Sequence, residues 1–250
     1  MNLDPLCLVR NLPCKKDREV FGLLAACLSY GRVESIIKTL STLLELLENS
    51  PADAIMNTNL AEKRYRFSSF VYRFTRGEEL AVLCHCIGEI LSRYGSLEEL
   101  YQIKGAHTTS PRDALRRFSQ HFHHIAHPIL LPHRRRGFSY LLSPMTGQTP
   151  AKRLNMFLRW MIRPDDGIDL GLWPSARRKD LIIPLDTHII RAAEILKLTQ
   201  RKSTSWNTAA EITECLRTVD PADPVRFDFS LCHWGMVHVR RGSALDRTSL

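Results

Sequence analysis

No apolar run in this 250-residue chain approaches the ~20 residues needed to cross a bilayer. Its opening stretch, MNLDPLCLVRNLPCKKDRE, also lacks the basic-then-apolar layout of a secretory leader. A membrane partner is therefore not expected, and a cytoplasmic location is. CxxC pairs are missing too. The seven cysteines (7, 14, 27, 84, 86, 215, 232) are scattered and odd in number, which argues against a disulfide framework and against a zinc or iron–sulfur site. Only Cys84-His85-Cys86 looks like ligand chemistry; cysteines two apart on a helix point to different faces, so buried thiols are expected there. Neither a metal nor an organic cofactor is called for. Acidic residues are outnumbered, 26 against 35 Lys and Arg, leaving a net charge of +9. That sign suits an anionic partner such as nucleic acid, although charge by itself does not establish one.

Strand signals are nearly absent, because alternating β-branched runs bounded by turn residues do not occur. What is present is apolar spacing of three and four residues, in a chain whose 44% hydrophobic content can build one large or two small cores. An all-α fold follows. Asp17 to about Glu48 reads as two helices punctuated by Ser29-Tyr30-Gly31-Arg32. Further helices are expected over Pro51–Met56, Ser68–Phe74, Glu78–Tyr94, Ser96–Ile103 and Arg112–Ile125, then over Ala151–Ile162, Thr187–Leu198, Trp206–Val219 and Pro224–Val239. The His-rich segment Gln120–Gly137 is expected to leave its helix for a surface loop, because Pro128 and Pro132 cannot continue one. Its Arg134, Arg135 and Arg136 are either phosphate contacts or an exposed charge run. The final residues, RRGSALDRTSL, read as a polar tail. Two helical lobes sharing a cleft are expected, with the N-terminal helix a candidate to join the C-terminal lobe. A monomer is expected.

The chemistry concentrates in two places. In Pro184-Leu185-Asp186-Thr187-His188-Ile189-Ile190-Arg191, an aspartate follows an apolar turn and precedes an apolar-periodic helix. That is first of all an N-cap, a structural device worth ~1 kcal/mol. The second place is SPMTGQTPAKRLNMFLRWM, residues 143–161, where a Gly- and Pro-containing hairpin feeds the start of a helix bearing Lys152.

PLDTHIIRAAEILKL is similar to the PVDTHV-type segment of the helix-hairpin-helix DNA glycosylase superfamily. The resemblance implies that Asp186, on the helix 186–198, is the catalytic carboxylate. It also implies that Lys152, in the hairpin-helix element 143–162, is the Schiff-base nucleophile of a bifunctional enzyme. The separation of 186 − 152 = 34 residues looks more like the archaeal 8-oxoguanine glycosylases. The wider pattern AKRLNMFLRWM, LIIPLDTH and DPVRFDF looks like a bacterial family catalogued as a domain of unknown function. The hairpin departs from the superfamily in lacking an LPGVG core and offering only Gly147.

By the same resemblance, Ser29, Tyr30, Gly31, Asp228 and Trp234 are candidates for a base pocket, although Gly31 and Cys232 replace side chains that the relatives use. Gly147, Arg153, His188 and the Arg134–Arg136 run are candidates for the DNA backbone. Lysine can attack the sugar C1′, and a carboxylate opposite can stabilise the positive charge that develops there. The implied function is excision of a damaged purine, 8-oxoguanine first, from double-stranded DNA, with associated β-lyase activity. The rivals are a helix-hairpin-helix module that binds nucleic acid without chemistry and a small all-α scaffold with an incidental basic surface.

Overall fold

The computed structural model describes residues 4–245, with side chains described through Val237. Its architecture is all-α, interrupted among the described residues by one two-stranded hairpin. The chain divides into two compact units. The first is the chain up to Met145 together with Trp160–Ala176, and the second is Thr146–Arg159 with the chain from Arg177 onward. Among the described residues no helix is long and apolar enough to cross a membrane.

The first unit holds α1 (Leu6–Arg10), α2 (Lys15–Leu28), α3 (Val33–Leu46), α4 (Pro51–Met56), α5 (Leu60–Arg66), β1 (Val71–Tyr72), β2 (Thr75–Arg76), α6 (Gly77–Tyr94), α7 (Leu97–Gly105), α8 (Pro111–Ala126) and α9 (Arg135–Leu141). The N-terminal helix α1 thus lies in this unit, packed with α2, rather than in the C-terminal one. Helices α2 and α6 form its centre, since Phe21–Leu28 and Leu80–Cys84 are buried around the whole helix circumference. The carboxylates of α2 are built into this core. Asp17 Oδ1 accepts from Ala52 N (2.8 Å) at the start of α4. Glu19 accepts from Leu97 N (3.1 Å) and Glu98 N (2.9 Å) at the start of α7 and from Trp173 Nε1 (2.7 Å). Each satisfies amide groups that a helix start leaves without intrahelical partners. The thiols of Cys84 and Cys86 are buried as expected, and burial pushes that of Cys84 up to about 12.

Three sequence expectations give way in detail. Ser68–Phe74 is not helical. The helix α5 lies before it, started by an Asn59–Glu62 capping box, and Phe70, Val71 and Tyr72 then alternate buried, exposed, buried, the period of a strand. The stretch after the first helix of Gln120–Gly137 is not a plain loop. α8 runs through Ala126, Pro132 opens a short 3-10 turn over Pro132–Arg134, and Arg135 and Arg136 begin α9. Proline breaks a helix interior but suits the first position of a new turn. The last helix also runs on to Leu245, into the segment read as a polar tail, whose residues 246–250 lie outside the described residues.

The second unit is built from α10 (Lys152–Ile162, of which the residues through Arg159 belong here), α11 (Thr187–Ile195), α12 (Trp206–Arg217) and α13 (Asp228–Leu245). Leu154, Phe157, Ile189, Ala193, Ile212 and Leu216 supply its core. The run Leu181–Leu185 is buried yet extended, because Pro184 disfavours helix in the residue before it. It is held by a hydrogen bond from Ile183 N to Thr213 Oγ1 (3.0 Å). α11 and α13 pack closely at Gly235, where a Cβ would lie 2.3 Å from the His188 carbonyl oxygen.

Candidate functional site

Asp186 ends the extended run and caps α11, as the sequence pattern predicts. Its Oδ1 accepts from His188 N and Ile189 N, both at 2.9 Å. One carboxylate oxygen is thereby committed to the helix, and the other faces outward from the cap. Asp186 Oδ2 accepts from Lys152 Nζ at 3.1 Å. Burial alone pushes the Asp186 carboxyl up, but the Lys152 charge, the Ile189 N–H and the Lys152 hydrogen bond outweigh it and hold the group below the usual carboxylate range. The two side chains are 41% and 18% exposed for lysine and aspartate. The pair therefore lies at the surface of the unit, open to a ligand on the lysine side.

Lys152 reaches this position through an unusual backbone. It is the first residue of α10, and Ala151 before it takes φ +46 although buried. A left-handed alanine costs ~1–2 kcal/mol. Asn155 anchors the turn, its N–H donating to Ala151 O and its Nδ2 to Pro150 O, both at 3.0 Å. The preceding loop is tied to α12 by Trp206 N donating to Gln148 O at 2.9 Å. Lys152 and Arg153 also occupy the positive end of the helix dipole, where a cation is disfavoured by ~0.3–1 kcal/mol. A strained turn that places a lysine where the helix disfavours it, opposite a carboxylate, is hard to account for by stability alone. Gly147, exposed with φ +59 and no neighbour within 4 Å of its would-be Cβ, is the open tip of the loop.

Two further residues of this unit, Cys232, noted in the sequence only as a replacement, and Arg159, which was not singled out, make contacts at the candidate residues. Cys232 Sγ faces Asp186 Oδ2 at 3.9 Å. Burial, then the Asp186 and Asp228 charges, push that thiol up to about 12, so it stays protonated at neutral pH and presents S–H to the carboxylate. The other is Arg159, whose Nη1 donates to Asp228 Oδ2 at 2.7 Å with both side chains buried. A base-pocket candidate thus stands in a buried ion pair. An arginine in the apolar half of α10 was the signal that could have revealed it. Trp234 lines an apolar surface groove with Leu196, Leu216 and Val219. His188 shares the Asp186 cap through its backbone, and its Nδ1 is enclosed with no hydrogen-bond partner among the described residues.

The remaining candidates lie in the first unit. Ser29 Oγ donates to Ala25 O (2.7 Å) within the end of α2. Tyr30 donates its hydroxyl to Thr75 Oγ1 (2.7 Å) and Tyr72 O (3.0 Å), fastening the turn after α2 to the β-hairpin. Gly31 takes φ +107, and a Cβ there would meet Arg73 Nη1 at 3.0 Å. Of the arginine run, Arg134 pairs with buried Glu79 (3.5 Å), Arg135 donates to His127 O (3.3 Å), and Arg136 is exposed. In the second unit Lys152, Asp186 and Cys232 come together, and Asp228 with Arg159 forms a separate pair. Among the described residues no group of His, Cys, Asp or Glu is arranged to hold a metal ion.

A family model described as "Protein of unknown function (DUF2400)" matches residues 4–237. No curated protein and no solved structure matches the chain.

Proposed function

Since the chain belongs to the DUF2400 family of unknown function, we propose from the site itself that it is a DNA N-glycosylase with β-lyase activity, acting on a damaged purine such as 8-oxoguanine. The observation that carries this reading is the contact of Lys152 Nζ with Asp186 Oδ2 at 3.1 Å, on the exposed face of a helix cap. The likeness of PLDTHIIRAAEILKL to the glycosylase segment and the net charge of +9 support it.

The chemistry fits the two groups. Lys152 first gives up a proton, for which Asp186 Oδ2 is the nearest acceptor. Its lone pair then bonds to the sugar C1′ as the C1′–N bond breaks, and the electron pair leaves with the base, which takes up a proton. Opening of the sugar ring at O4′ yields a protonated Schiff base. Loss of a C2′ proton then expels the 3′-phosphate. Asp186 hands the Lys152 proton on to the departing base and, ionised again, stabilises the positive charge on the sugar and on the iminium nitrogen. The substrate base must first leave the stack, since duplex stacking hides C1′ chemistry from any side chain. The N-terminal amides of α10, with Arg153, offer a place for a backbone phosphate.

Borohydride trapping on duplexes carrying different lesions tests this. A covalent adduct is expected with the wild-type chain, none with Lys152→Gln, and a yield lowered at least ~100-fold with Asp186→Asn. Absence of an adduct on every lesion, with salt-sensitive duplex binding intact, overturns the enzyme in favour of the non-catalytic binding module.

A further inference from the structure

Outside the lysine–aspartate site, the feature that stands out is the tip of the β1–β2 hairpin. Val71 pairs with Arg76 and Tyr72 with Thr75, so Arg73 and Phe74 form the whole turn. Phe74 is 63% exposed there. Most of that ring remains in water at the outermost point of the hairpin. Arg73 adopts φ +51, a conformation that glycine or asparagine takes far more cheaply, so the turn keeps an arginine at a cost in backbone strain.

The tip is braced rather than loose. The Phe74 ring meets Tyr140 edge-on at 5.2 Å, Tyr140 meets Tyr30 edge-on at 5.2 Å, and Tyr30 lies 5.0 Å from Tyr72. Tyr72 in turn donates its hydroxyl to Tyr30 O. This row of rings ends at the solvent in Phe74 and Tyr140. Its surroundings are cationic. Arg73 lies over the Phe74 ring at 5.8 Å. Exposed Arg136 stands one turn before Tyr140 on α9, and exposed Arg32 and Arg76 flank the Gly31 turn and the hairpin. Glu79, the carboxylate beneath, is buried and occupied by Arg134 and by Arg76 N (3.0 Å).

An exposed, rigidly backed ring with Arg73 against it and further exposed arginines on neighbouring segments is complementary to a base and its phosphates together. A nucleotide carries a flat π-face and an anionic phosphate within one backbone unit, the same adjacency as Phe74 and Arg73. We propose that Phe74, with Arg73 and Tyr140, is a stacking platform for an unpaired base of DNA. This deepens the reading above by naming the form of DNA recognised. It rests on DNA as the partner but not on the chemistry at Lys152.

The test is fluorescence anisotropy of the full chain with a labelled single strand, the same strand in a perfect duplex, and a duplex carrying one bulged base. The bulged duplex is expected to bind more tightly than the perfect one. Phe74→Ala should weaken bulge binding by ~5- to 150-fold, the range of one lost base–aromatic stack, with an unchanged salt slope. Arg73→Gln should instead shallow the salt slope. Phe74→Trp should retain affinity, and its added emission, read against the wild-type chain with its four tryptophans, should be quenched by the bulge. Phe74→Ala binding within twofold of wild type, equal affinity for bulged and perfect duplexes, or no DNA binding at all overturns the platform. Normal trapping with unaffected Phe74→Ala binding therefore sinks the platform alone, whereas Phe74-dependent binding without trapping sinks the enzyme alone.

Discussion

Replacing Asp186 by asparagine and by alanine separates the work of its two carboxylate oxygens. Asparagine keeps an acceptor for His188 N and Ile189 N, the two 2.9 Å cap bonds. It loses the charge, and with it ~0.3–1 kcal/mol of interaction with the dipole of α11. It also weakens the 3.1 Å contact with Lys152, which contributes ~0–1 kcal/mol because that lysine is 41% exposed. Asp186→Asn should therefore cost about 1 kcal/mol. Alanine loses the cap as well, adding ~0.5–2 kcal/mol. In a chain of this size each kcal/mol lowers Tm by roughly 2–4 °C, so calorimetry and urea titration at pH 7 should rank wild type, Asn, Ala. The pH dependence supplies a second check. The Asp186 carboxyl is held below its ordinary range in the folded chain. Its charge therefore stabilises above the unfolded value of about 4, and the gain is lost as pH falls from there through the folded value. The gap between wild type and Asn should narrow between pH 7 and pH 3, while the gap between Asn and Ala, which reflects the cap, persists. An asparagine variant as unstable as alanine, or a wild-type advantage that does not change with acid, refutes the division of labour.

Two further substitutions probe what positions the site. Gly235→Ala forces a Cβ to within 2.3 Å of His188 O, so α13 and the first turn of α11 must part; the expected loss is ~1–3 kcal/mol, with faster amide exchange at residues 188–190 and reduced trapping. Gly147→Ala, which meets nothing but holds φ +59, should cost only about 1 kcal/mol. In the Arg159–Asp228 pair, removing either buried partner should cost ~3–5 kcal/mol, whereas Arg159→Met with Asp228→Ala should cost well below the sum. If Asp228→Ala leaves Tm unchanged and abolishes lesion binding, the aspartate reads the base rather than holding the fold.

Local pattern was enough to set the class of the fold and the ends of its strongest helices. Those properties depend on neighbours within one or two turns: the apolar spacing of α2, α6 and α10, the cap at Asp186, the glycine after Tyr94. It also pointed to Lys152 and Asp186, each at the start of a helix. That they touch is a matter of long-range packing, because 34 residues of chain separate them. The same holds for Cys232 against Asp186, Arg159 against Asp228, and Glu19 across the starts of α7 and the Trp173 indole. In each, a polar side chain on an apolar helix looks like an imperfection until its distant partner is known. The β1–β2 hairpin escaped for the opposite reason. Four paired residues carry too little periodicity to be read, and what holds them is the ring row from Tyr30 to Tyr140, assembled from three segments far apart in the chain. Local pattern sets which elements form, whereas long-range packing sets which side chains meet, and the proposed chemistry depends on the latter.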